Sequence, residues 1–152
     1  MILYHGTTIT AFQKIKNEGL LQVASPENSP YSSLSDSFQT NYGYVYLTAS
    51  FKDAVNFADM AINCNTETPR SLCIIKVKIP DEYIEPDKDE LRIGCAEQPD
   101  KCFRVKGDID LKQTNYNSEY TLLKFKSYQS ACDYIDSFSE DKIEEISWKS
   151  FQ

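Results

Sequence analysis

The chain has 152 residues, 41% apolar and 26% charged, a balance that suits a folded domain and is too apolar for a disordered one. Sixteen basic residues against twenty-three acidic ones give a formal charge of −7, which disfavours general affinity for nucleic acid backbones. The length fits one domain spanning 1–152, and no stretch is apolar enough for a membrane span.

Residues 2–5 form a short apolar run, followed by His-Gly-Thr. From Ala11 to Leu21, Phe12, Ile15 and Leu20 recur at roughly helical spacing, with Gly19 near the end. A strand, a turn and a helix are predicted. Residues 22–41 then turn to Ser, Pro, Asn and Asp without periodicity, which predicts a long loop. Tyr42 to Leu47 alternates as a strand does. Ser50 precedes a predicted helix over 51–63, with Ala54, Phe57, Ala58 and Ala61 on one face. Ser71 to Ile79 is the strongest strand signal, stopped by Pro80. The acidic segment beyond it is expected to form turns and irregular chain. A strand over 101–109, a polar loop over 110–117, a strand over 118–125, a helix over 131–138 and an edge strand or tail over 143–151 complete the reading.

The N-terminus lacks a basic region followed by a long apolar run, so neither export nor insertion is expected and the site of action is cytoplasmic. The five cysteines are irregularly spaced, contain no C-x-x-C and read as reduced thiols. Cys95 and Cys102 lack partners for a zinc site in a chain with one histidine, so no metal is expected. Acidic residues crowd 81–100, whereas Lys101, Arg104, Lys106, Lys112, Lys124 and Lys126 follow, leaving room for a local basic strip.

The chemistry centres on His5 and Gly6. A histidine beside a glycine at a strand end presents its imidazole next to unshielded backbone, where a planar ligand can approach. HGT, a helix ending in EGL, YVYLTASFKDAVNF, an apolar strand and NSEYTLL follow in order over residues 3–126. That series resembles the catalytic domain of the diphtheria-toxin-like and poly(ADP-ribose) polymerase-like ADP-ribosyltransferases, with their His-Tyr-Glu pattern. The resemblance implies an α+β fold of two small, mostly antiparallel sheets with flanking helices and an NAD cleft between them.

It further implies that NAD is the co-substrate and that His5 bonds the adenosine-side ribose, with Gly6 and Thr7 beside it. Gly6 pairs through its backbone with the nicotinamide amide. Tyr46 and Phe57, eleven residues apart, sandwich the nicotinamide ring. Glu119 is the expected catalytic carboxylate, stabilising an oxocarbenium-like ribose. Nicotinamide leaves neutral from a cationic precursor, so no second acid is required. With His5 and Tyr46, Glu119 completes the expected catalytic set.

Two departures bear on the acceptor and the subgroup. Asn117 stands where arginine-modifying relatives carry an acid, and Ala54 stands where polymerases place a serine. The expectation is transfer of single ADP-ribose units to a macromolecular acceptor, nucleic acid or protein, selected by the 110–117 loop and the 22–41 segment. The small size suggests a toxin, phage or effector role with control from outside, such as an antitoxin. The alternatives are an NAD glycohydrolase, an RNA 2'-phosphotransferase and a catalytically inactive binding module on the same fold.

Overall fold

A computed structural model describes residues 1–28, 41–65 and 70–152, with only the backbone described at 63–65. Most of the predicted 22–41 loop, residues 29–40, lies outside the described residues, as does the Cys64 side chain. In chain order the elements are β1 (Ile2–Thr8), α1 (Ile9–Glu18), β2 (Leu20–Leu21), β3 (Tyr44–Thr48), α2 (Phe51–Asn65) and β4 (Arg70–Lys78). They continue as β5 (Ile84–Pro86), α3 (Lys88–Ile93), β6 (Cys102–Lys106), β7 (Ile109–Asp110), β8 (Glu119–Phe125), α4 (Tyr128–Ser137) and β9 (Lys149–Ser150). Short 3-10 turns fill several of the gaps.

The fold is α+β with two antiparallel sheets, as expected, but they are unequal. One has seven strands in the order β5-β6-β3-β1-β4-β8-β9, and the other is the pair β2-β7. The large sheet is itself nearly divided. β1 runs alongside β4 from Ile2 opposite Lys78 to Thr8 opposite Leu72, and β3 alongside β6 from Tyr44 opposite Lys106 to Thr48 opposite Cys102. By contrast β1 and β3 meet at a single residue pair, Tyr4 with Thr48. A three-stranded and a four-stranded half thus diverge from one hinge.

Alternation along β1 sends successive side chains to opposite faces. Leu3 joins Phe12 of α1, Leu47, Ile75, Val77 and Tyr120 in one core cluster, while Tyr4 joins Phe51, Ala54, Val55, Leu72 and Ile74 in another. Gly6 faces α2. A Cβ built there would lie 1.8 Å from the Ala54 carbonyl oxygen, so the helix backbone rests directly on the strand. The glycine expected to admit a ligand is therefore required by helix packing.

Several boundaries differ from the predicted ones, each for a local reason. The first helix begins at once after β1, with the Thr8 hydroxyl accepting from Ala11 N at 3.2 Å. It stops at Gly19, whose φ of 72° and bond to the Ile15 carbonyl end the helix, so Leu20 and Leu21 form β2. Ser50 caps α2 as predicted, accepting from Asp53 N at 3.2 Å. The acidic segment is not merely irregular: Asp87 caps α3 by accepting from Glu90 N, and Gly94 closes it in the left-handed region. The predicted strand over 101–109 is two, β6 and β7, in different sheets. The 110–117 loop contains a 3-10 turn at Thr114–Tyr116, and the last helix starts at Tyr128 behind a Ser127 cap. The tail contributes both a 3-10 turn over Glu140–Glu145 and the edge strand β9. Among the described residues no helix is long and apolar enough to cross a membrane.

Candidate functional site

A cleft of about 670 Å³ opens where β1 and β3 part, within the volume range typical of small-molecule and cofactor sites. His5, Gly6 and Thr7 of β1 form one wall, Tyr44 to Thr48 of β3 the opposite wall, and Phe57 with Met60 and Ala61 of α2 a third side. The meeting of these three elements explains why the cleft exists: the ladder between β1 and β3 ends after Tyr4, and among the described residues no strand fills the opening beyond it. Five of the residues expected at the nucleotide site, His5, Gly6, Thr7, Tyr46 and Phe57, are thereby brought together.

His5 bridges the gap. Its Nδ1 lies 2.9 Å from the Tyr46 carbonyl oxygen, across from β1 to β3 beyond their one ladder pair. A carbonyl can only accept, so Nδ1 carries the proton and Nε2 of the neutral ring is an acceptor. Burial lowers the imidazole pKa below its ordinary 6.5, with the bond to Tyr46 opposing part of the effect. The neutral tautomer is the resting form at neutral pH, ready to accept from a hydroxyl.

This placement has a measurable consequence. The folded chain releases the His5 proton at lower pH than the unfolded chain, so on acidification below about 6.5 the unfolded state takes up the proton first and stability falls. The chain has only one histidine, and burial raises the Asp87 and Glu90 pKa values, which gives an opposite trend at lower pH. Comparing wild type with His5→Gln separates the two. Melting temperature is expected to decline less in His5→Gln than in wild type between about pH 7 and about pH 5, and equal declines would contradict the assignment.

Tyr46 is held by residues that the sequence reading did not single out. Its hydroxyl donates to the Asp89 carboxylate and lies 2.8 Å from the Asn41 carbonyl oxygen. Asp89 also accepts from Asn41 N and Nδ2, both at 2.8 Å. Burial, and next the bond to Asp89, push the phenol pKa strongly upward, so Tyr46 stays protonated. Arg104 of β6 completes the cluster: its Nε bonds Glu85 at 2.6 Å, its Nη1 stands 3.9 Å from Asp89, and its guanidinium lies 4.0 Å over the Tyr44 ring. Asp87, at the N-cap of α3, and Glu90, in its first turn, are buried and line the same cleft. Asp87 caps that helix, and Glu90 accepts from Ala96 N.

Glu119 does not join this group. It starts β8 opposite Lys76, which in turn stands opposite Tyr4, so two strand spacings of about 4.8 Å separate it from β1. Its carboxylate pairs with the Lys76 ammonium at 2.5 Å, and that ammonium also lies 4.3 Å from the centre of the Trp148 ring. Glu119 is absent from the cleft lining, and so are residues 110–117. The loop that leads into Glu119 nevertheless starts beside the cleft, since Asp110 pairs with Leu20, which lines it, and Leu111 N donates to the Gly19 carbonyl at 2.9 Å. Of the other segment expected to select the acceptor, Gln22, Ala24, Glu27 and Asn28 do line the cleft.

The described thiols are free, and burial raises the pKa of Cys73 and Cys95 and pushes that of Cys102 up to about 12. None of these three is poised as a thiolate nucleophile. Among the described residues no cluster of three or more His, Cys, Asp or Glu is placed to hold a metal.

No family model matches the chain, and no curated protein does. Among solved structures, a double mutant of heat-labile enterotoxin aligns with 90% of this chain and 66% of its own length, at 14% identity and a TM-score of 0.45.

Proposed function

We propose that the protein binds NAD in the cleft between β1 and β3, splits the nicotinamide-ribose bond and transfers single ADP-ribose units to a macromolecular acceptor, protein or nucleic acid. The observation that carries this reading is the His5 bridge: one ring nitrogen is fixed on Tyr46 O, leaving the other as an acceptor in a cleft flanked by Tyr46 and Phe57. A ribose hydroxyl meets the free nitrogen, and the two aromatic rings flank the cationic nicotinamide. The hydroxyl anchor on Asp89 fixes the Tyr46 ring before ligand arrives, so little rotamer freedom is lost on binding.

Bond cleavage leaves positive charge on the ribose. In this reading Asp87 and Glu90, buried carboxylates of the cleft wall, take the stabilising role expected of Glu119. Burial disfavours their ionised forms, and a cationic ring or ribose beside them offsets that penalty. Nicotinamide departs neutral and needs no acid. A macromolecule with its nucleophile at the mouth near Glu27 and Asn28 would then capture the ribose, and water would capture it in the acceptor's absence.

A second reading, an NAD-binding module without turnover, is favoured by one observation: Glu119 is neutralised by Lys76 outside the cleft. Nicotinamide release separates the readings. Glu90→Gln is expected to lower the release rate about a hundredfold with NAD affinity nearly kept, while Glu119→Gln stays within about threefold of wild type. The reverse order would return the catalytic role to Glu119. NAD binding without any release would support the module.

A further inference from the structure

The cleft is longer than its nicotinamide end, and its far part is built by α1. Thr10, Ala11, Lys14, Ile15 and Glu18 all line it. Positions spaced by three to five residues make one continuous stripe of a helix, so α1 lays a single face along the opening. Lys14 stands on that stripe about 6 Å along the axis from Thr10, at the usual rise per residue.

Charge makes this lysine distinctive. Glu18, Glu27, Asp87 and Glu90 line the cleft, and Lys14 is the cation among its described lining residues. The segments 29–40 and 66–69 contain no Lys or Arg. Its ammonium has a hydrogen-bond partner in the Gln22 amide oxygen at 3.4 Å, and no carboxylate among the described residues lies in ion-pair range of it. Glu18, one turn further on, accepts instead from the Gln22 amide nitrogen at 3.0 Å. Gln22 thus bonds the nearby acid, and the lysine has no carboxylate within ion-pair range among the described residues.

We infer that Lys14 is the diphosphate-binding residue of this site and fits it to a dinucleotide instead of a nucleoside. The inference rests on the NAD reading above. NAD carries its negative charge on the diphosphate that joins its two nucleosides, and in a cleft otherwise lined by carboxylates that charge is repelled everywhere except beside Lys14. With nicotinamide between Tyr46 and Phe57 and a ribose on His5, the diphosphate passes the first turns of α1, within reach of a flexible lysine. The ammonium exchanges the Gln22 amide for two phosphate oxygens.

The test is titration of NAD into wild type, Lys14→Gln and Lys14→Arg at low and moderate salt, with melting temperatures measured alongside. Lys14 is exposed on a helix, so both variants are expected to fold as wild type does. Lys14→Gln should weaken NAD binding about tenfold at low salt, and the gap should narrow as salt screens the pair. Lys14→Arg should remain within about threefold of wild type, because the charge is kept. Unchanged affinity in Lys14→Gln, or equal loss in both variants, would overturn the inference while leaving the NAD site standing. Failure of wild type itself to bind NAD would instead remove the NAD reading, and this inference with it.

Discussion

Gly6→Ala is expected to destabilise the protein by about 3 kcal/mol, near the upper end for overpacking a core. Replacing glycine by alanine in a strand ordinarily helps slightly, because alanine loses less backbone entropy on folding. Here the added methyl would sit 1.8 Å from the Ala54 carbonyl oxygen, 2.8 Å from its carbon and 3.1 Å from the Ala58 side chain. The obstacle is helix backbone, which cannot rotate away as a side chain tip does. Relief requires α2 to lift from β1, and Phe57 is carried on α2, so the aromatic side of the cleft would move with it. A melting temperature lowered by roughly 6–12 °C, with NAD affinity reduced in the protein that still folds, is the expected outcome. An unchanged or raised melting temperature would show that helix and strand are not in contact at this point.

Asp89→Ala is expected to do comparable or greater damage, about 3–5 kcal/mol, because it removes the acceptor from a buried cluster and leaves the donors behind. Asp89 is 4% exposed and accepts from the Tyr46 hydroxyl and from two Asn41 nitrogens, while Arg104, 7% exposed, stands beside it. Arg104 Nη1 already lacks a hydrogen-bond partner, so loss of the nearby negative charge would remove part of the little compensation it has. Tyr46→Phe removes a single bond from the same cluster and should cost about 1 kcal/mol. Chemical denaturation of the two variants gives the comparison. Equal, small losses would mean that the cluster is solvated instead of buried.

Much of the strand and helix order could be read from the sequence, since continuous apolar runs such as residues 71–79 and the helical face of Ala54, Phe57, Ala58 and Ala61 report burial directly. The third helix was hidden by acidic composition, although Asp87 with Glu90 three residues later and Gly94 beyond carries the start and stop signals of a short helix. Asp89 escaped notice for a related reason. In a charged run a solvated face is the usual outcome, and only the fold brings that carboxylate to Tyr46.

His5, Gly6, Thr7, Tyr46 and Phe57 could be grouped in advance only through the family resemblance, and the fold brings their elements around one opening. The same resemblance put Glu119 with them, but it is absent from the cleft lining. Periodicity identifies β8 as a strand and does not say which strand it borders; pairing with β4 puts Glu119 beside Lys76. The gap between β1 and β3 is equally silent in sequence, since a ladder that ends after one pair leaves the alternation of both strands intact.

The most direct measurement of the central claim is release of nicotinamide from NAD by the purified protein, with the adenylate label followed into a whole-cell lysate before and after protease or nuclease. Wild type is expected to release nicotinamide and to transfer label to a macromolecule, and Tyr46→Ala and His5→Ala, if folded, should lose at least about tenfold in NAD affinity. Absence of both NAD binding and nicotinamide release in wild type would contradict an NAD site between β1 and β3.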